Sequence, residues 1–406
     1  MIQGTPKSLR LQIGIFGRRN VGKSSILNGL VKQSVSIVSS ELGTTTDPVE
    51  KPMELLPLGP VLFIDTAGLD DEGSLGSLRV EKTRAIFDRC DFALLVTDGI
   101  WEENERQIAE TLTVKKIPWL AVLNKADLAD YATLQETLQA EGIEAVRVNA
   151  NKAETLEDLQ QAIIRKAPAS FLEGYTIIGD LLPPDAHVLL VIPIDKQAPK
   201  GRIILPQVQT LRDILDHRMT CSVCQEDQVA QMLCALKAPP NLIVTDSQAF
   251  GAVSLQTPSH LPLTSFSILF ARFKGDLNTM VLGLSGIRRL RPNDRILIAE
   301  ACTHHPAQDD IGREKIPRWL REHIHGDLHV DVVSGQHFPQ DLSPYKVIIQ
   351  CGACVLTRRQ VLSRIQKAAA AGIPITNYGL VIAHVHGILD RALIPFPDAL
   401  THYLND

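Results

Sequence analysis

A chain of 406 residues has room for about two to four domains at one per ~100 to 200 residues. Hydrophobic residues at 45% and charged residues at 21% exclude a disordered or low-complexity chain. The 41 Lys plus Arg stand against 46 Asp plus Glu, a net charge of −5, so no chain-wide basic field favours a nucleic-acid partner. No apolar run reaches the roughly 18 residues of a membrane-spanning helix, and no signal-peptide core precedes Gly17. A cytoplasmic protein with no membrane partner is expected. In that compartment seven cysteines raise metal binding before disulfides.

From Leu9 to about Lys166, apolar runs alternate with helical stretches. The runs Leu11 to Phe16, Val61 to Asp65, Phe92 to Asp98, Trp119 to Asn124 and Ala145 to Asn149 predict a mostly parallel sheet covered by helices on both faces. Pro168 and Leu181-Leu182-Pro183-Pro184-Asp185 interrupt the pattern and place a linker near 168–184. Beyond it, strands are expected at His187 to Ile194 and Leu242 to Thr245, with helices from Val208 to His217 and Gln225 to Leu236 between them. A third stretch offers strands at Arg295 to Ala299, Leu328 to Val333, Lys346 to Gln350 and Ile373 to Asn377. Its helix Thr357 to Ala371 opens on a hydroxyl and closes before Gly372. The expected fold class is α/β, a P-loop domain over 1–170 followed by two smaller α/β domains, 171–262 and 263–406, with mostly parallel sheets.

Gly17-Arg18-Arg19-Asn20-Val21-Gly22-Lys23-Ser24 is a G-x-x-x-x-G-K-S loop between a strand and a helical segment. Its glycines let the backbone of Gly17, Asn20, Val21, Gly22, Lys23, Ser24 and Ser25 surround phosphates at a helix N-terminus. Lys23 would neutralise the β- and γ-phosphates and Ser24 would hold Mg²⁺. Asp65-Thr66-Ala67-Gly68 ends a strand, where Asp65 can reach the Mg²⁺ shell and the Gly68 N–H the γ-phosphate. Asn124-Lys125-Ala126-Asp127 offers a carboxylate to the N1–H and amino group of guanine, a donor pair that adenine lacks. Among Thr44, Thr45 and Thr46, Thr45 is the expected metal cap, and Asn149-Ala150-Asn151 the loop that backs the base. The expected ligands are GTP or GDP with Mg²⁺, and Lys23, Asp65 and Gly68 are the groups nearest the chemistry.

Over roughly residues 9–167 these segments resemble the GTPases of the TrmE–Era group. Leu69 stands where Ras-like proteins have a water-positioning glutamine. Asn20 matches the residue that places a K⁺ ion beside the phosphates in potassium-activated members of the group, so K⁺ activation is implied.

Cys302-Thr303-His304-His305 follows the strand Arg295 to Ala299, and Cys351-Gly352-Ala353-Cys354 follows Lys346 to Gln350. Ligands of open α/β sheets gather at the carboxyl ends of strands, so the two segments can converge. Three thiols and an imidazole suit tetrahedral zinc or an iron–sulfur cluster. Together with the GTPase segment, this pattern resembles the GTP-binding maturases of [FeFe]-hydrogenase, the HydF family, across essentially the whole chain. That family's signature is C-x-H, a gap of several tens of residues, then H-C-x-x-C. Cys302, His304, Cys351 and Cys354 match it, whereas Gln350 stands at the second histidine.

The resemblance implies a [4Fe–4S] cluster on the last domain, expected on Cys302, Cys351 and Cys354; because Gln350 is a poor ligand beside imidazole or carboxylate, His304 is the leading fourth ligand and Asp309, seven residues beyond Cys302, the second. It also implies a transient diiron precursor built by two radical-SAM maturases, its delivery to the apo-hydrogenase, and a homodimer formed through the middle domain. The competing reading is a ribosome- or RNA-associated GTPase with a zinc-stabilised accessory domain. Cys221 and Cys224, with Cys234 nearby, are expected on one helix face as packing residues. His323, His325 and His329 suit solvated positions. His384 and His386 suit one face of a strand, and Asp309-Asp310 the cap of a helix from Ile311 to His323.

Overall fold

The computed structural model describes residues 5–33, 49–66, 85–168, 171, 174–194, 203–301, 310–335 and 337–405. These divide into two units, 1–175 and 176–406.

In the first unit, the apolar runs become strands of one six-stranded sheet. They are β1 (Leu11–Phe16), β2 (Val49–Leu55), β3 (Gly59–Asp65), β4 (Phe92–Thr97), β5 (Trp119–Leu123) and β6 (Ala145–Arg147). The order is β2-β3-β1-β4-β5-β6, parallel except for β2 against β3. Every residue of β1 and β4 is buried, as continuous apolar strands covered on both faces should be. The register pairs Ile15 with Asp65, Phe16 with Leu95, and Thr97 with Leu123. The carboxyl ends of β1, β3, β4 and β5 therefore come together. Edge strand β2 was absent from the sequence reading. Its Pro52 looks like a breaker, yet an edge strand tolerates proline.

The second unit holds two four-stranded, wholly parallel sheets. One is ordered β10-β9-β7-β8, from β7 (His187–Val191), β8 (Thr220–Cys224), β9 (Leu242–Thr245) and β10 (Leu263–Ser265). The other is ordered β12-β11-β13-β14, from β11 (Arg295–Ala299), β12 (His329–Val333), β13 (Val347–Gln350) and β14 (Ile375–Asn377). One apolar core serves both sheets, running through Leu190, Val244, Phe266, Ile348 and Leu380. Helix Phe266–Lys274 starts directly after β10, where the Ser265 hydroxyl accepts from the Ile268 N–H at 3.2 Å. Its other end is closed by Arg358, whose Nη1 donates to the carbonyls of Arg272, Phe273 and Gly275 at 3.1, 2.7 and 2.9 Å.

Three local expectations are corrected. Cys221 and Cys224 lie on β8, not on a helix face; Val188 pairs with Cys221 and Val191 with Cys224 in the β7 register. Spacing i, i+3 puts the two thiols on opposite faces of a strand; Cys224 enters the core and Cys221 packs against it. The helix expected from Gln225 is confined to Val229–Ala235. His384 belongs to helix Tyr378–Val385 and His386 caps it, because Asn377 starts a helix there by accepting from the Leu380 N–H at 2.9 Å. Asp310 does cap its segment, accepting from the N–H groups of Gly312 and Arg313 at 2.9 Å. The first turn after it, Ile311–Lys315, is a wider π turn before helix Ile316–Ile324.

Candidate functional site

The phosphate loop leaves β1 through two backbone conformations that L side chains rarely adopt, Gly17 at φ 135° and Gly22 at φ 96°. A Cβ on Gly17 would sit 2.1 Å from the Val96 carbonyl oxygen, and one on Gly22 2.1 Å from Asn124 Nδ2. Asn20 takes φ 64° and is exposed with Ser24 and Ser25, while Val21 is buried beneath them. The loop curls over the Lys23 ammonium, which donates to the carbonyls of Gly17 and of Arg18, the latter at 2.8 Å. Lys23 is 5% exposed. Ser24 Oγ donates to Asp65 Oδ2 at 2.6 Å, so the two predicted Mg²⁺-side groups meet. Thr66 fixes the end of β3 on β1 by donating to the Ile15 carbonyl at 2.6 Å.

The base-reading segment is latched to the phosphate loop. Asn124 Nδ2 donates to the Val21 carbonyl at 2.8 Å, and the buried Asn124 Oδ1 has no hydrogen-bond partner among the described residues. Lys125, at φ 59°, pairs with Asp98 at 3.0 Å. Asp127 is exposed. Asn149 is buried and accepts from the Asn151 N–H at 2.9 Å; Ala150 lies between them, half-buried.

Three contributors were missed by the motif reading: Asp98, Glu105 and Tyr131. Asp98 also pairs with Arg18 at 3.4 Å, and Arg18 reaches the fully buried Glu105 at 2.7 Å. Tyr131 donates its hydroxyl to the Asn124 carbonyl at 2.6 Å, and burial with the nearby Asp98 and Asp127 carboxylates raises its phenol pKa. The signal for Asp98 was its place at the end of an apolar run; Glu105 and Tyr131 carry none in the sequence. Gly68 and Thr45 lie outside the described residues.

In the second unit, Cys351 follows β13 directly. Its sulfur accepts from the Ala301 N–H at 3.0 Å and the Ala353 N–H at 3.4 Å; Ala353 turns with φ 52°. Cys351 and Cys354 line a cavity of about 240 Å³ together with Asp246, Glu300, Asp310 and Tyr378. Glu300 is held by Arg313 at 2.8 Å and by Ser334 at 3.1 Å. Burial pushes the Cys351 thiol up to about 11. It raises the Cys354 thiol as well, against the opposing charge of Lys274. Cys302, His304 and Asp309 lie outside the described residues. Among the described residues no group of three His, Cys, Asp or Glu could hold a metal ion. The residues present nevertheless fit a thiolate-bound group: two thiols share one cavity, and backbone N–H groups already point at one of them. The chain enters 302–309 immediately beyond Ala301, which bonds Cys351. Gln350 is buried, 1% exposed, and its Oε1 has no hydrogen-bond partner among the described residues.

Comparison with known proteins places each segment. Residues 177–275 match the model of the hydrogen maturase F dimerization domain and 278–395 that of its tetramerization domain. Residues 12–125 match the model described as 50S ribosome-binding GTPase. The tRNA modification GTPase MnmE of Aquifex aeolicus is 33% identical over 168 residues, 41% of this chain and 37% of that protein. GTPase Der of Nitratiruptor is 40% identical over 129 residues, 30% of this chain and 28% of the relative. The chain thus spans between 28% and 37% of the length of these curated relatives. The structure of Aquifex aeolicus Era bound to GDP and AlF4⁻ is 20% identical with a TM-score of 0.33, covering 53% of this chain and 92% of that one. The first unit is a P-loop GTPase domain.

Proposed function

The chain belongs to the hydrogen maturase F family, and from that premise we propose that it is a cytoplasmic, GTP-hydrolysing scaffold for assembling the diiron subcluster of [FeFe]-hydrogenase. The observation that carries this reading is the conjunction, in one chain, of a guanine-type nucleotide loop and a thiol-lined cavity. Lys23 is the cation for the β- and γ-phosphates; rotating off the loop carbonyls, it exchanges two neutral acceptors for anionic oxygens. Ser24 and Asp65, already 2.6 Å apart, hold Mg²⁺ with Thr45, and Gly68 meets the γ-phosphate. Asp127 reads guanine while Lys125, Asn149 and Ala150 flank the base. Asn20 places the activating K⁺.

Cys302, Cys351 and Cys354 hold a [4Fe–4S] cluster whose fourth position is taken by His304 or Asp309. When bound, that cluster supplies an iron with a replaceable ligand, where cargo can attach. The cargo is a diiron precursor received from two radical-SAM maturases and passed to the apo-hydrogenase. The three functional segments are 1–170 for GTP, 171–262 for homodimer formation and 263–406 for the cluster.

Anaerobic reconstitution with iron and sulfide, followed by metal analysis and EPR, tests the reading. Brown protein with about four irons per chain supports it, and each Cys→Ala change should abolish the reduced signal. Stoichiometric zinc without iron would reject it in favour of a zinc-stabilised, ribosome-associated GTPase.

A further inference from the structure

The phosphate loop and the base-reading segment leave different strands, β1 and β5, with β4 between them in the sheet. Asp98 stands one residue past the end of β4. Its two carboxylate oxygens serve different partners: Oδ1 accepts from Arg18 Nη2 of the phosphate loop at 3.4 Å, and Oδ2 from Lys125 Nζ of the base-reading segment at 3.0 Å. One anion is thus shared by a cation from each half of the nucleotide site.

A surface ion pair contributes little when both long side chains must be immobilised to make it. Here both cations are already placed. Arg18 Nε donates to Glu105 Oε1 at 2.7 Å. Glu105 is fully buried, and its Oε2 accepts from the Glu102 N–H at 3.2 Å, so the planar guanidinium has a fixed orientation where its Nη2 meets Asp98. Lys125 sits at φ 59°, a conformation that few non-glycine residues hold. Its backbone is pinned on either side, since the Asn124 N–H donates to the Thr97 carbonyl at 2.8 Å and the Ala126 N–H to the Val148 carbonyl at 3.2 Å. The turn after Asp98 meets the same segment a second time. Gly99, at φ 103°, leaves room for the Tyr131 ring, which a Cβ there would approach to 2.7 Å, and the Tyr131 hydroxyl donates to the Asn124 carbonyl at 2.6 Å.

We propose that Asp98 is a positioning residue for guanine recognition, the shared anion that keeps the base-reading segment in register with the phosphate loop. This rests on the guanine-nucleotide reading above and adds what ties the two halves of that site together. Without the carboxylate, two like charges converge on one point and repel. Lys125 then moves away from the loop, and Asp127, two residues beyond it, loses its alignment with the base.

Calorimetric titration of GDP and of inosine diphosphate, which lacks the amino group, into full-length wild type, Asp98→Ala, Lys125→Ala and the double variant tests the proposal. Asp98→Ala should weaken GDP about tenfold, the loss of one charge-assisted hydrogen bond to the base. Inosine diphosphate should lose less, so the preference between the two nucleotides narrows. Adding Asp98→Ala to Lys125→Ala should change GDP affinity by no more than about twofold, because without Lys125 the bridge is already cut. Asp98→Asn removes the charge at constant size, so it supplies folded protein should Ala fail to do so. GDP binding within about twofold of wild type in a folded Asp98 variant would overturn the proposal. So would an equal loss for both nucleotides, or losses that multiply in the double variant, since either marks a general packing role. Failure of wild type itself to bind GDP would instead defeat the guanine-nucleotide reading.

Discussion

Replacing Gly22 by Ala perturbs the nucleotide site through two separable effects. The native φ of 96° would put an L residue in a conformation disfavoured by about 1 to 2 kcal/mol. The added Cβ would also lie 2.1 Å from Asn124 Nδ2. Asn124 is 2% exposed and holds the Val21 carbonyl at 2.8 Å, so it can yield only by giving up a bond worth about 1 kcal/mol. The sum is about 2 to 3 kcal/mol against the phosphate-binding shape of the loop. At 1.4 kcal/mol per tenfold, GDP should bind roughly 30- to 140-fold more weakly. Titration with a fluorescent GDP analogue measures this, with far-UV circular dichroism verifying that the first unit stays folded. A folded variant binding within about threefold of wild type would show that neither the conformation nor the Asn124 latch shapes the site.

Asp127→Asn should remove the acceptor of a charge-assisted pair worth about 1.5 to 3 kcal/mol per hydrogen bond, so competition between GTP and ATP should shift toward ATP by at least about tenfold. Mg²⁺-dependent hydrolysis should be faster in K⁺ than in Na⁺, and equal rates would remove the role given to Asn20. Cys351, raised from the ordinary 9.0 to about 11 by burial, favours the neutral thiol in the folded protein. Its contribution is complete below pH 9 and is lost as pH rises through about 11. Urea unfolding of metal-free protein should therefore show stability falling over that window, less steeply in Cys351→Ser; parallel profiles for the two proteins would count against the burial argument.

The nucleotide loop was legible because its chemistry is contiguous: Gly17 to Ser24 must follow a strand and precede a helix, and both flanks are strongly patterned. The strand ends were legible because β1, β4 and β5 are buried on both faces and read as unbroken apolar runs. What escaped was structure fixed by distant partners. Glu105 is on a surface-patterned helix, yet it is buried because Arg18 reaches it. Thr220-Cys221-Ser222-Val223-Cys224 has too little apolar weight to announce a strand and becomes one through pairing with β7. Local spacing misplaced His384 because one hydrogen bond at Asn377 selects helix over strand. The cavity's Asp246, Glu300 and Cys351 lie far apart in sequence, and only the ends of β9, β11 and β13 bring them together.

The helix Phe266–Lys274 begins at the last strand of one sheet, and the Asn377 side chain of the other sheet donates to its Ser267 carbonyl at 2.8 Å. Because its buried face belongs to the single core beneath both sheets, neither sheet can lose structure without stripping the other of apolar cover. Residues 177–275 and 278–395 should then melt in one transition, with matching amide-exchange protection in β9 and β13. A chain cut near Gly275 would leave Phe266, Leu269 and Phe270 facing water, so either half produced alone should aggregate rather than assemble.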